Sequence, residues 1–304
     1  MRIHKIAQIC GYEFCGADCD IRTISYADNA SANSLAVVYT KKDTLATDAG
    51  AVLTEPRFIK TDKTILFVSE PLDIAAVKVA MLLVQNGDVK MYGKPNYNAV
   101  NGYFTAGNVE ICGDTVVSPN VFIDEDVKIG SHCIIEPNVC IKGGSIIGDG
   151  VHISSGSVIG ADAFCHYYDA EIKSFPGIGR VVIGDYAEIG HHTVVQRGTF
   201  SDTVIGKGCK IGNQVDIGHD VRIGGNCKIV SQTGIAGRVS IGDWVIIYGQ
   251  VGIANHISIG DRAVVMAQSL VTKNVQAGEK VSGRFARKHS EELRRQISIN
   301  RLGG

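Results

Sequence analysis

The sequence predicts a mainly β protein: a three-sided parallel β-helix over residues 101–278, preceded by a small α/β domain (1–100) and followed by a helix (279–304). Three observations predict it. Within 205–271 an aliphatic residue returns at every sixth position, from Ile205, Ile211 and Ile217 to Val265 and Val271. Two places before each stands a second inward residue, usually smaller, such as Thr203, Cys209 and Val215. One large and one small inward residue per six suits a short strand and a tight turn, and three such edges close a coil. Glycine keeps the coil's period, because Gly206, Gly224, Gly242 and Gly260 are 18 apart, at a turn that uses its conformational freedom.

Residues 1–100 lack the six-residue period. The stretch 70–85 reads as a helix, with Pro71 in its first turn and alanine and leucine through its middle. Leu35–Tyr39, Ala51–Thr54 and Thr64–Val68 read as buried strands. The repeat starts near Ile111, runs to Ile159 and resumes in phase at Ile183, so residues 164–181 leave the coil and return in register. That excursion carries Phe164, His166, Tyr167, Tyr168 and Phe175 before a Pro176-Gly177 turn. Solenoid insertions commonly sit on the binding face. Covering a ligand and packing against a neighbouring subunit are both open readings for it. A smaller excursion, Arg197 to Asp202, precedes Ile205. Beyond Val271 the period fades, and from Arg284 one helix is expected to cap the coil.

The chain has 304 residues and a formal charge of -1, which argues against a broad nucleic-acid-binding surface. Its end is locally basic, with Arg284, Arg287, Lys288, Arg294, Arg295 and Arg301 against Glu291 and Glu292. Such a run is usually a solvated face, but it also suits an acidic protein partner. Nine cysteines without a Cys-x-x-Cys pair favour neither a disulfide framework nor a zinc ribbon, and Cys133, Cys209 and Cys227 read as small core residues. No apolar signal segment or membrane span is evident, so a cytoplasmic location is expected.

The candidate chemistry lies at one corner of the coil. His219 follows inward-facing Ile217, and one 18-residue coil later stands Gly237; another leads to Asn255, beside His256. Rungs of a parallel sheet lie about 4.8 Å apart, so these residues form a column on one edge. Histidine, with an ordinary pKa of about 6.5, can take a proton from an amine or hydroxyl near neutrality. Glycine lets a carbonyl approach a backbone N–H that stabilises an oxyanion. Asp220 is placed to orient His219 or the substrate. The plainer reading treats His219 as an incidental corner residue, like His132 and His152. No His-x4-His pair occurs and His191-His192 are adjacent, so no metal is expected.

The wording at these residues adds a resemblance. Asp202-Thr-Val-Ile-Gly206, Gly212-Asn-Gln-Val-Asp-Ile-Gly-His-Asp220, Gln232-Thr-Gly-Ile-Ala-Gly237 and Gly249-Gln-Val-Gly-Ile-Ala-Asn-His256 resemble the UDP-3-O-acylglucosamine N-acyltransferases of lipid A biosynthesis, hexapeptide-repeat enzymes. The excursion ending Pro176-Gly-Ile-Gly-Arg180 is also similar. The resemblance implies a left-handed parallel β-helix, a homotrimer with sites between subunits, and no bound cofactor. It further implies a phosphopantetheine thioester of acyl-carrier protein as donor and the amine of a UDP-linked 3-O-acylglucosamine as acceptor. His219 would be the general base with Asp220, the Gly237 N–H the oxyanion donor, and His256, with Asn255 and Gln214, the acceptor contacts. Tyr39 would stand at the uracil site of the N-terminal domain, where Tyr39-Thr-Lys-Lys-Asp43 departs from the family's Asn-Pro-Lys-Tyr-like wording; Gln196 replaces an aspartate before Arg197-Gly198. Arg284, Arg287, Lys288, Arg294 and Arg295 would meet the carrier protein, and Met266, Gln268 and Leu270 are candidates for the groove floor. Two competing readings are an acetyl-CoA-dependent acetyltransferase acting on a nucleotide sugar and a non-catalytic solenoid that binds a ligand or partner.

Overall fold

The computed structural model describes residues 1–304 apart from 41–42, 44–46, 56–62, 94, 284–288 and 303–304. In the N-terminal domain, helices α1 (Ile3–Cys10) and α2 (Leu72–Gln85) accompany strands β1 (Glu13–Cys15), β2 (Thr23–Tyr26), β3 (Ser34–Val37), β4 (Ala51–Thr54) and β5 (Thr64–Phe67). The sheet order is β1-β5-β4-β3-β2, parallel except for β1, so β2 is an open edge. β3 and β4 are buried along their whole length, including the hydroxyl-bearing Ser34 and Thr54 at their ends, as their largely apolar runs suit. α2 begins after Pro71, whose missing N–H costs nothing there, and buries Leu72, Ala75, Ala76, Val79, Ala80 and Leu83.

The remainder is the solenoid, three parallel sheets of ten, eight and nine strands; the three-residue antiparallel strand Asn98–Val100 ends the largest. Most of its strands are two residues long, the first outward and the second inward. Asp216 pairs with Gly234 and Gly234 with Gly252 on one outer face, while Ile217, Ile235 and Ile253 stack inside. The inward residues make one continuous core that includes Cys133, Cys209 and Cys227. The coil starts one strand before Ile111, because Tyr103–Thr105 already pairs with Phe122–Ile123, and its last strand is Lys280–Val281. Helix α3 (His289–Leu302) follows. It carries exposed Arg294 and Arg295; Arg284, Arg287 and Lys288 lie outside the described residues. No helix among the described residues is long and apolar enough to cross a membrane.

The larger excursion is a hairpin, His166–Asp169 against Glu171–Ser174. Its base packs into this chain's own N-terminal domain: Phe175 and Ile178 are buried in the core that holds α1 and α2. Phe200 of the smaller excursion joins them, with its ring between those of Tyr26 and Phe175. The two departures from the repeat are therefore the joint between domain and coil. Phe164 and Tyr168 stay three-quarters exposed.

A histidine corner and two neighbouring cavities

His219 stands in the turn after the strand Asp216–Ile217, and its ring is only 19% exposed. Nδ1 lies 2.8 Å from Asp220 Oδ2 and 3.0 Å from Thr199 Oγ1. Asp220 is buried and accepts the backbone N–H groups of Thr199, at 2.9 Å, and Ser201, at 2.9 Å, with a longer one from Phe200. A carboxylate that collects donors in this way draws a proton onto Nδ1 and leaves the Nε2 lone pair free. The small excursion can fold around Asp220 because residue 198 is glycine: a side chain there would overlap the Ser201 carbonyl.

Gly237 stands one rung above His219. A β-carbon on it would lie 2.5 Å from His219 Nε2 and 2.6 Å from Cε1, so the glycine leaves room for the ring. Among the described residues the Gly237 N–H meets no acceptor. Both residues border a cavity of about 360 Å³ with Phe164, Gln196, Asp216 and Ala236. Gln196, the residue where the wording departs, accepts the Phe164 N–H at 3.0 Å and holds the base of the hairpin beside the cavity. Burial raises the Asp216 carboxyl above its ordinary range. Further along this face the outward positions are Gly234 and Gly252; the first has open space where a side chain would be, and the second meets only Leu270.

The expected single column is two columns. His219, Gly237 and Asn255 share the first turn position, while Asp220, Arg238 and His256 share the second, with left-handed φ of 57°, 61° and 60°. His256 thus stands above Arg238 and Asp220, although its N–H reaches the Gly237 carbonyl at 3.3 Å. The second column borders a cavity of about 430 Å³ between coil and N-terminal domain, lined by Arg238, Ser240, His256, Asp28 and Asp43 among others. Burial, helped by Arg238 and His219, holds His256 below the ordinary imidazole range. Arg238 lies over the Tyr26 ring, 3.6 Å from its centroid, and 5.3 Å from that of Tyr39.

Two expected acceptor contacts do not line this cavity. Tyr39 donates its hydroxyl to Asp73, and the aromatic residue at the wall is Tyr26. Gln214 occupies a different corner, where Gln214, Gln232, Gln250 and Gln268 form a ladder of side-chain amides, each donating to the one before. Asn255 is exposed beside His256. Thr199, Arg238 and Tyr26 were missed by the sequence reading. Arg238 had a signal in the coil arithmetic, one coil after Asp220; Thr199 and Tyr26 had none.

Residues 126–161 and 202–237 match the bacterial transferase hexapeptide repeat. Over 45 residues the chain is 62% identical to UDP-3-O-acylglucosamine N-acyltransferase of Agrobacterium fabrum, covering 15% of this chain and 13% of that protein. Over 52 residues it is 52% identical to the Cupriavidus taiwanensis protein of the same name, covering 17% and 14%. The matched segments thus span about an eighth to a seventh of these curated relatives' length. Among solved structures, the UDP-N-acetylglucosamine acyltransferase of Francisella novicida superposes with a TM-score of 0.57 at 26% identity, over 65% of this chain and 72% of that one. The O-acyltransferase of Moraxella catarrhalis gives 0.54 at 26%, over 65% and 77%.

Proposed function

We propose that the chain, whose residues 126–161 and 202–237 match the bacterial transferase hexapeptide repeat, moves an acyl chain from a thioester to the amine of a UDP-linked 3-O-acylglucosamine. The observation that carries this reading is His219, its Nδ1 held by Asp220 and its Nε2 directed at the space under Gly237. Nε2 takes a proton from the attacking amine as nitrogen bonds to the thioester carbonyl. The free Gly237 N–H stabilises the oxyanion, and collapse of the tetrahedral intermediate expels the thiolate, which is reprotonated from the imidazolium. The bare strip at Gly234 and Gly252 gives an alkyl chain a smooth path away from the reacting carbon. The cavity at Arg238 and His256 supplies a cation and an imidazole for a diphosphate.

An acyl-carrier-protein thioester as donor, a homotrimer, and a place in lipid A assembly belong to the same proposal, supported by the names of the relatives and the basic end of the chain. Mass-spectrometric product analysis with UDP-3-O-acylglucosamine and carrier-protein or coenzyme A thioesters of several lengths tests it. An amide product from carrier-bound donors, lost in His219→Ala by about 10²–10⁴-fold, is expected. Acetylation from acetyl-CoA alone would replace the donor assignment, and no product from any donor would leave a binding protein.

A further inference from the structure

A third cavity, of about 380 Å³, lies between the N-terminal domain and lower rungs of the coil, on the face that also carries Arg238's cavity. The two share only Asn29 among their lining residues, and the reaction above makes no use of the third. Its domain wall is the open edge strand β2, through Thr23 and Ser25, and its coil wall is formed by Ser201, Val204 and Arg222.

Three features of it point to a ligand. Ser25 is 5% exposed, and its Oγ is the one buried side-chain nitrogen or oxygen among the described residues without a hydrogen-bond partner. Buried hydroxyls are nearly always paired, so an unpaired one lining a cavity is a vacant position for a polar group. The charge is also unbalanced. Arg180 is neutralised by Asp202, through Nη2 at 2.8 Å and Nε at 3.3 Å, whereas exposed Arg222 has no carboxylate partner among the described residues. The cavity therefore offers one uncompensated guanidinium, that of Arg222, and a second, that of Arg180, already paired with Asp202 in the same lining. Finally, Ile178 and Phe200 add apolar surface to a lining rich in hydroxyls, from Thr23, Ser25, Ser31, Ser34 and Ser201.

We propose that this cavity binds a sugar phosphate. The phosphate lies on Arg222 and Arg180, where planar guanidinium donors suit its oxygens. A ring hydroxyl pairs with Ser25 Oγ, and the carbon face of the sugar lies on Phe200. Neither a bare phosphate nor an uncharged sugar meets all three features.

Calorimetric titration of the full chain with glucosamine 1-phosphate, inorganic phosphate and glucose tests the proposal. Saturable binding of glucosamine 1-phosphate is expected at millimolar concentration or below, tighter than either fragment. Arg222→Gln, an exposed change that leaves the fold alone, should weaken it by about tenfold through loss of a charge-assisted bond. Ser25→Ala should weaken it by roughly threefold to tenfold while raising the Tm of the unliganded protein, because it removes a buried unpaired hydroxyl. Excess UDP should leave the titration unchanged. Absence of saturable binding, affinity unmoved by both substitutions, or displacement by UDP would each overturn the proposal.

Discussion

Gly237→Ala isolates the geometry of the histidine corner with a single methyl group. The added carbon would lie 2.5 Å from Nε2 and 2.6 Å from Cε1 of His219, where ordinary contact needs about 3.5 Å. The ring must give way by about 1 Å, since the glycine backbone is fixed to its rung. Such a shift breaks the 2.8 Å bond to Asp220 and the 3.0 Å approach to Thr199. Misplacing a catalytic group by that distance costs on the order of 10²-fold in rate. Backbone strain does not add to this, because Gly237 is not among the left-handed residues, and the inward neighbours Ile235 and Val239 are untouched. Steady-state acyl transfer, thermal unfolding and acceptor calorimetry should show a rate loss near 10²-fold with folding and acceptor affinity largely kept. In a His219→Ala background the same change should cost much less, as there is no ring to displace; the remainder measures any separate effect on the oxyanion position. A folded Gly237→Ala protein with unchanged kcat/KM would refute the reasoning.

Three further outcomes are expected. Thr199→Val keeps the shape but removes the hydroxyl near Nδ1, so kcat should fall by roughly threefold to tenfold, with KM for the acceptor unchanged in the same titration series. His256 is held below the ordinary imidazole range in the free protein, and a bound diphosphate favours its cation. Binding should then take up a proton, so acceptor affinity measured by calorimetry rises as pH falls from 8 through about 6.5, and His256→Ala removes that slope. Reversing Arg294 and Arg295 on α3 to glutamate should raise KM for carrier-protein donors and flatten its salt dependence, while a pantetheine thioester shows no change.

The coil was legible because its constraint is local and periodic. Each inward Ile217, Ile235 or Ile253 must fill the same prism, so six-residue spacing fixes strand, turn and rung. The same arithmetic brought His219 under Gly237. It blurred His256 because adjacent turn residues diverge: Gly237 and Asn255 follow His219, whereas Arg238 and His256 follow Asp220. Residues outside the period left no such trace. Thr199 reaches His219 only because Gly198 lets the excursion close on Asp220, and Tyr26 reaches Arg238 only because β2 docks on the coil. Gln214 lies near His219 in sequence but turns a different corner, in the ladder with Gln232, Gln250 and Gln268.

The excursion of residues 197–202 belongs to both halves of the molecule. Ser201 accepts the Tyr26 N–H from β2 at 3.5 Å, Phe200 fills the space between Tyr26 and Phe175, and Thr199 stands against the imidazole. Recombination between related chains therefore has a seam that differs from the apparent one near residue 100. A crossover there would hand an inherited coil a foreign β2 surface, and the mismatch would be felt at His219 two residues' reach away. A fragment exchange that keeps the donor's excursions with the donor's N-terminal domain would move a working joint as one heritable piece.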